Sequence, residues 1–347
     1  MPQTESIKEY IIAFEKKLEF VVINDVSTEL YCKKYLTHLL EHTTYYIAIY
    51  ADVLQKLIEH SSKNKEIISL IDYGAGNGLL GIFAKFCGFE KVYINDLDAK
   101  FLNASQKLAI QLNIKIDGYI LGDISEVQEY FKYTAPDGIV GTDVIEHIYN
   151  LKDFFTCLQQ INQSLVSVFT TASNPENYFK VRMLKKLQLK DELKGGTPDD
   201  NALFGEYPLE PFIKIREQII RKHAENLSDT SIMDLAKATR GKNEEDIIAV
   251  VEQYTISGKL PAPPADDTNT CNPLNGSWTE RILSLKEYVT LYKSAGFKPK
   301  FYNGFYNEYE GGFKKYFKKI LNLGISILGK KISPYIVIVS CRKNDLK

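Results

Sequence analysis

The chain has 347 residues, which is more than one small core needs and indicates an α/β domain with a large insertion, or two domains. Its 43 basic and 44 acidic residues leave a formal net charge of -1, so no global field draws the protein onto nucleic acid or acidic membranes. Five scattered cysteines without a CxxC pair favour reduced thiols over a disulfide framework or a zinc site, and they indicate a cytoplasmic protein.

Residues 1–64 are predicted to form a helical N-terminal cover. Their first part alternates charged with apolar residues and has no uninterrupted apolar core, which is unlike a secretory signal or a membrane span. Apolar residues then recur at helical spacing over residues 31–57. His38, Glu41 and His42 match the HxxEH pattern of inverted zinc proteases, although an amphipathic helix with two half-exposed histidines explains the same residues.

The remaining chain divides into three predicted segments. Residues 65–175 alternate short apolar runs with helical patterns, which indicates parallel βαβ units. Residues 176–283 break this alternation with further helices and a proline-rich loop, so we interpret them as an insertion that caps the acceptor pocket; one of its helices is expected to start at Ser231. Residues 284–347 add a helix and two closing strands.

A glycine-rich turn follows the first predicted strand, in the order Asp72, Tyr73, Gly74, Ala75, Gly76, Asn77, Gly78. Glycines let the backbone turn sharply and approach a ligand, while helix-start N–H groups face that ligand. A nucleotide-like ligand is therefore expected. The GxGxxG spacing from Gly76 is shared with NAD and FAD enzymes.

Acidic residues end the next two predicted strands. Asp96 lies about twenty residues after the glycines, where a carboxylate can accept hydrogen bonds from both ribose hydroxyls. Asp123 could accept from an adenine amine while the Ile124 N–H donates to the ring. For either aspartate taken singly, helix capping or turn formation is the alternative.

These features, together with the later DGIVGTDVIEHI segment, resemble the class I S-adenosylmethionine-dependent methyltransferase family over roughly residues 67–175 and 284–342. The resemblance implies a seven-stranded, mostly parallel sheet in the order 3-2-1-4-5-7-6, with the last strand antiparallel. It also implies that S-adenosylmethionine is the cofactor and is bound by Asp72, Tyr73, Gly74, Ala75, Gly76, Asn77, Gly78, Asp96, Leu97, Asp123, Ile124 and Asp143.

Catalysis is expected just after the fourth strand. There His147, with Glu146, could take a proton from an acceptor hydroxyl. Asp143, Glu146 and His147 also resemble the metal-binding EXXEH pattern of ubiquinone-pathway and small-RNA 2′-O-methyltransferases, with Asp143 in place of the first glutamate. A divalent metal therefore stays open as an alternative, because Glu-His at this position also occurs in relatives that use no metal.

The acceptor pocket is assigned to five residues from the cover and the insertion: Tyr46, Asn174, Tyr178, Trp278 and Arg281. Packing is the alternative for each aromatic residue, and a surface ion pair for Arg281. A large cover suits an enclosed metabolite, sugar or lipid-linked acceptor better than duplex nucleic acid, and it favours O-methylation. The residues indicate no oligomeric state.

Two other function classes stay open. An NAD-dependent oxidoreductase would use the Gly76 loop for a pyrophosphate but leaves Asp123 without a role. A non-catalytic Rossmann-like scaffold would not need the intact glycine and aspartate set. Residues 312–331 intersperse lysines with aromatic and aliphatic residues, which is typical of a helix in peripheral membrane contact, although packing against the sheet edge with the lysines in water fits the same composition.

Overall fold

The computed structural model describes residues 6–196, 210–309 and 313–342, and it divides the chain into two compact units. The first unit takes in the described parts of Met1–Ile145, Asn150–Asn177 and Ser284–Lys347. The second unit takes in Glu146–Tyr149 and the described parts of Tyr178–Leu283. The long segment of the second unit lies within the predicted insertion of residues 176–283, whose role as an acceptor cap stays a prediction.

A single sheet forms the centre of the first unit. In the described residues its seven strands are β1 (Ser69–Tyr73), β2 (Lys91–Asp96), β3 (Gly118–Leu121), β4 (Gly138–Thr142), β5 (Val166–Thr171), β6 (Phe297–Asn303) and β7 (Ile336–Arg342). They lie in the order β3-β2-β1-β4-β5-β7-β6. Neighbours from β3 to β5 pair in parallel, and β7 runs antiparallel to both β5 and β6. The predicted strand order is confirmed.

Helices connect and cover these strands. In chain order the described α-helices are α1 (Ile11–Leu18), α2 (Ile23–Val26), α3 (Leu30–Glu41), α4 (Thr43–His60), α5 (Leu79–Phe86), α6 (Ala99–Gln111), α7 (Ile124–Tyr130), α8 (Leu151–Ile161), α9 (Tyr178–Leu193), α10 (Phe212–His223), α11 (Asp229–Ala238), α12 (Glu244–Ser257), α13 (Leu285–Ser294) and α14 (Phe313–Leu328). Helices α9 to α12 belong to the second unit, and the others belong to the first.

The N-terminal helices share one hydrophobic core with the sheet. Ile47, Tyr50, Leu54 and Leu57 recur at helical spacing along α4, and all four are buried. Gly138 of β4 leaves room for this helix, because a Cβ at that position would lie 2.6 Å from a methyl carbon of Leu57. The predicted cover is therefore built into the core of the first unit.

The second unit has a smaller core of its own, formed by apolar side chains of α10, α11 and α12. Helix α12 begins after Asn243, whose Oδ1 accepts a hydrogen bond from the Asp246 N–H at 3.0 Å. The predicted start of α11 at Ser231 is wrong. Ser228 caps this helix and its hydroxyl accepts from the Ser231 N–H at 3.2 Å, so Ser231 already lies in the first turn.

A buried ion pair joins α9 to α10. The fully buried Arg216 guanidinium donates to both carboxylate oxygens of Glu192, with Nη1 3.2 Å from Oε2. Arg216 Nε also donates to the Ala236 carbonyl at 2.8 Å, and the Thr270 hydroxyl donates to Glu192 Oε2 at 2.8 Å. Both charges are therefore compensated by hydrogen bonds inside the second unit.

Replacing Glu192 by alanine should destabilise the second unit, because it leaves the Arg216 charge buried without its carboxylate. We expect Glu192→Ala to lower the free energy of unfolding by about 3–5 kcal/mol, measured by urea denaturation. Asp267→Ala is the control, since Asp267 pairs with Lys185 at the surface and its loss should cost under about 1 kcal/mol. Equal losses in the two variants would contradict the importance of the buried pair.

Candidate active site

Three glycines with left-handed backbone form the turn between β1 and α5. Gly74, Gly76 and Gly78 have φ angles of 62°, 55° and 73°. A Cβ at Gly76 would lie 2.9 Å from a ring carbon of Tyr35, and one at Gly78 would lie 2.6 Å from Cβ of Ser105. Both the backbone conformation and the close approach therefore require glycine in this loop.

Two buried carboxylates hold the glycine loop in place. Asp72 Oδ2 accepts from the Gly81 N–H at 2.7 Å, and Asp96 Oδ2 accepts from the Gly76 N–H at 2.7 Å. Asp96 Oδ1 also accepts from the Asp98 N–H at 2.9 Å. Burial raises the pKa of Asp72 to about 8 and that of Asp96 to about 6, so these hydrogen bonds offset only part of the cost of a buried charge.

The rest of the loop is anchored by its neighbours and leaves one polar atom for a ligand. The Ala75 N–H donates to the Asn95 carbonyl at 3.0 Å, and the Tyr73 ring packs on Phe154. Asn77 is fully buried, and its Nδ2 donates to the Cys32 carbonyl at 3.1 Å. Within the described part of the chain, Asn77 Oδ1 is a buried acceptor without a hydrogen-bond partner, as expected where a ligand binds.

The predicted adenine residues lie at the start of α7. Asp123 caps this helix: its Oδ1 accepts from the Ser125 N–H at 2.7 Å, while its own N–H donates to Glu126 Oε2 at 2.8 Å. The capping alternative for Asp123 is thus what the structure shows, and its adenine contact stays a prediction together with that of the buried Ile124. Leu97, which follows Asp96, is exposed.

Asp143 follows β4 directly and has a strained backbone. Its φ of 51° is in the left-handed region, which costs a non-glycine residue about 1–3 kcal/mol and is concentrated at functional sites. Its N–H donates to the Thr170 carbonyl at 3.2 Å. The next residue, Val144, packs so closely on the glycine loop that a Cβ at Gly74 would lie 2.3 Å from it. The Asp143 turn and the glycine loop therefore form one continuous surface.

Tyrosines from α3 and α4 surround this surface. Tyr35 lies against Gly76, and the Tyr46 and Tyr50 ring centroids are 6.4 Å apart. Burial, together with the smaller effect of the negative charge of Asp143, raises the pKa of Tyr46 to about 12. We call Tyr35, Tyr46 and Tyr50 the tyrosine cluster. Tyr46 was predicted as an acceptor-site residue, whereas Tyr35 was not assigned, because a tyrosine at an apolar helical position reads as core.

The HxxEH residues lie at the end of α3, beside this cluster. His38 Nε2 is 2.8 Å from the Tyr46 hydroxyl, and the His38 and His42 ring centroids are 5.0 Å apart. One ligand atom from each of His38, Glu41 and His42 lies within 4.8 Å of the others. The two histidines thus share one face of the helix, as their spacing predicts.

Glu146 and His147 belong to the second unit. His147 Nδ1 lies 2.8 Å from the Trp278 carbonyl oxygen, and the Trp278 N–H donates to the His147 carbonyl at 3.2 Å. The Arg281 N–H donates to the carbonyl of Glu146, whose side chain is buried. The predicted catalytic residues are therefore held by the end of the insertion, and their roles, including metal binding with Asp143, stay predictions.

The other predicted acceptor residues lie in two separate environments. Trp278 stacks on Tyr149 at an interplanar angle of 21°, and the Arg281 guanidinium carbon is 4.2 Å from its ring centroid. Tyr178 is exposed at the start of α9. In the first unit, the buried Asn174 donates from Nδ2 to the carbonyls of Lys330 and Ser333, both at 2.8 Å. These contacts give structural roles to Trp278 and Asn174, and their acceptor contacts stay predictions.

Comparison with known proteins matches the segment that carries this site. Residues 27–186 match a family model described as lysine methyltransferase. Ribosomal protein L11 methyltransferase of Acinetobacter baumannii is 37% identical over 87 residues, which are 25% of this chain and 28% of that protein. Ubiquinone biosynthesis O-methyltransferase of Rickettsia akari is 23% identical over 133 residues, which are 38% of this chain and 51% of that protein. The chain thus spans less than a third of the first relative and about half of the second.

Two solved structures align with this chain at low identity. A SAM-dependent methyltransferase from Archaeoglobus fulgidus aligns with a TM-score of 0.41 and 11% identity, over 89% of this chain and 99% of that one. PKMT2 from Rickettsia typhi aligns with a TM-score of 0.42 and 12% identity, over 84% of this chain and 52% of that one.

The strand order, the left-handed glycine loop and the matched family model identify the chain as a class I S-adenosylmethionine-dependent methyltransferase. S-adenosylmethionine is therefore its cofactor. The residues fit this ligand: the glycines remove side chains from the loop, Asn77 Oδ1 offers a buried acceptor, and Asp96 ends β2 beside the loop.

Asp96→Ala should weaken cofactor binding, because it removes both the acceptor of the Gly76 N–H and the predicted ribose partner. We expect the Kd for S-adenosylhomocysteine, measured by calorimetry, to rise roughly 10- to 100-fold. The control is Asp98→Ala, since the exposed Asp98 only caps α6 by accepting from the Lys100 N–H at 2.8 Å. Unchanged affinity in a folded Asp96→Ala variant would rule out the ribose assignment.

Asp72 should make the stability of the ligand-free protein depend on pH. Burial raises the pKa of Asp72 from an ordinary value of 3.8 to about 8, so the folded state holds a proton that the unfolded state releases in between. This stabilisation is complete below the unfolded pKa and is lost as the pH rises through the folded one. Relative to Asp72→Asn, the wild-type free energy of unfolding should fall by roughly 1 kcal/mol per pH unit over that window. Parallel pH profiles in urea denaturation would contradict this.

Proposed function

We propose that this methyltransferase modifies an amine nitrogen, specifically the side chain of lysine in a protein. The observation that carries the proposal is the tyrosine cluster beside the glycine loop and Asp143. S-adenosylmethionine supplies a methyl group activated by a sulfonium, so the chain's own residues mainly have to position the acceptor and exclude water. The tyrosine cluster and the neighbouring Asp143 carboxylate would line the acceptor site and contact the acceptor.

The chemistry of this lining favours a cationic or amine group. The faces of phenol rings carry negative charge density and attract ammonium groups. Burial, followed by the neighbouring Tyr35 and Asp72, raises the pKa of Tyr50 well above its ordinary value, so its phenol stays neutral. A neutral tyrosine with a high pKa is a poor general base, so the lysine has to lose its proton to solvent and react as the neutral amine. The N–CH3 bond then forms as the bond from the methyl group to the sulfonium sulfur breaks. The positive charge that develops on the nitrogen is the charge that the phenol rings stabilise.

The comparisons support the same acceptor class. The family model described as lysine methyltransferase spans residues 27–186 and thus includes the tyrosine cluster, the glycine loop and Asp143. The relative from Acinetobacter baumannii is named as an enzyme that acts on ribosomal protein L11. The first description names lysine as the acceptor, and the second names a protein as the acceptor.

A hydroxyl acceptor on a metabolite, sugar or lipid-linked intermediate is the second candidate, and His147 is the observation that favours it. Because a carbonyl oxygen cannot donate, the 2.8 Å contact to the Trp278 carbonyl requires the proton on His147 Nδ1. Nε2 is then the basic nitrogen, in the form that a general base for a hydroxyl needs. The Rickettsia akari relative is named as an O-methyltransferase.

A matched acceptor assay tests the proposal. Isotope-labelled S-adenosylmethionine is offered with lysine-containing peptides, with the same peptides carrying arginine in place of lysine, and with a panel of phenols and sugars. We expect label in methyl-lysine only. Tyr46→Leu should lower kcat/KM at least roughly tenfold because it removes the ring, while Tyr46→Phe retains most activity.

The same assay separates the two candidates. Under the lysine proposal, His147→Gln keeps its turnover with peptides. Methylation confined to the hydroxyl compounds, and abolished in His147→Gln but not in Tyr46→Leu, would replace the lysine proposal with the hydroxyl candidate. Cofactor affinity measured on each variant distinguishes loss of chemistry from loss of cofactor binding.

A further inference from the structure

Helix α14 presents an apolar face to solvent. Tyr316, Ile320, Leu323 and Ile327 are 67%, 66%, 69% and 82% exposed. Their spacing of four, three and four residues places them in one row along the helix. Single exposed apolar side chains are ordinary on protein surfaces, whereas a continuous row of large ones marks a binding surface.

The orientation of this helix is fixed by its inner side. Ile325 is buried, and the Asn322 side chain forms three hydrogen bonds with the preceding segment. Asn322 Oδ1 accepts from the Tyr306 N–H at 2.7 Å, and its Nδ2 donates to the Tyr306 carbonyl at 3.1 Å and to Glu308 Oε2 at 2.9 Å. Rolling the helix to bury its outer row would break these contacts, so the outer row stays in solvent.

Lysines border the exposed row. Over residues 313–331 the sequence has six lysines and no acidic residue, while the whole chain has a net charge of -1. Lys314, Lys315 and Lys319 are exposed on the helix, and Lys330 and Lys331 follow it directly. The segment therefore combines an exposed apolar row with a local excess of positive charge.

We propose that α14 binds the surface of an anionic lipid bilayer, with its apolar row inserted among the lipid chains and its lysines at the phosphate groups. The helix has 16 residues and is about 24 Å long, so it suits a position in the plane of the membrane. Among the described residues no helix is long and apolar enough to cross a bilayer. Lysine stems can extend past the apolar row to reach the headgroups.

Charge favours a lipid surface over a second copy of the chain. A two-fold contact through α14 would bring the same lysine-rich segment of both copies together, and like charges at a desolvated contact repel. Anionic headgroups neutralise the same lysines. The lysines therefore favour an anionic membrane over a second copy of the chain as the partner that covers this apolar face.

Vesicle sedimentation of the full chain tests this proposal. The vesicles contain phosphatidylcholine alone or with phosphatidylglycerol, at low and at high salt. We expect binding only to the vesicles with phosphatidylglycerol, weakened by salt, and reduced at least roughly tenfold by Ile320→Glu combined with Leu323→Glu. Lys314→Gln, Lys315→Gln and Lys319→Gln together should remove most of the dependence on phosphatidylglycerol.

The control is Ile256→Glu, which changes an 89% exposed isoleucine on α12 and should leave vesicle binding unchanged. Unfolding midpoints and S-adenosylhomocysteine affinity establish that each variant is folded. The proposal is overturned if the wild-type chain does not bind the vesicles, or if the double variant binds them as tightly as the wild type. A wild-type dimer that the double variant converts to monomer, without vesicle binding, would instead assign the face to a second copy.

Discussion

Two buried carboxylates set the geometry on which the cofactor site depends. Asp72 and Asp96 end adjacent parallel strands, so both lie at the same edge of the sheet. Each accepts a backbone N–H at 2.7 Å from the turn or helix that follows β1. These hydrogen bonds fix the conformation of the left-handed glycine loop, which has few side chains of its own to hold it in place. They also keep the loop next to the tyrosines of α3 and α4. Burial disfavours the charged form of both groups and raises the pKa of Asp72 to about 8 and that of Asp96 to about 6.

Much of this arrangement could be predicted from the sequence because it depends on residue type and spacing. Short apolar runs that alternate with helical patterns indicate a parallel sheet. Because the carboxyl ends of neighbouring parallel strands lie at the same edge, aspartates at these strand ends are expected to lie near one another. The strained backbone at Asp143 could not be predicted, because only tertiary contacts force a non-glycine residue into that conformation. Tyr35 was missed for a related reason: an aromatic residue at an apolar helical position has the same pattern whether it packs in the core or lines a site. The start of α11 was misplaced because Ser228 and Ser231 are equally good caps by type.

The residues after β4 contact residues that lie far along the chain. In the chain, Glu146 and His147 follow Asp143 within four residues, yet they pack with the second unit. The Trp278 carbonyl fixes which His147 nitrogen carries the proton, and Trp278 is itself held by stacking on Tyr149 and by the Arg281 guanidinium. The tautomer of a histidine near a strand end therefore depends on a residue 131 positions later. Sequence spacing alone cannot reveal such a dependence.

The orientation of helix α14 also could not be predicted from its amphipathic pattern. A period of 3.6 residues shows that a helix has an apolar side, but it does not show whether that side faces the core or the solvent. Here the inner contacts are made by Asn322 and Ile325, which leaves the larger apolar row outside. The nearly neutral net charge does not argue against binding to an anionic surface, because six lysines within one short segment create a field that is strong nearby and cancelled at a distance. Attraction then acts only when α14 faces the membrane, so the same charges that strengthen binding also orient the molecule.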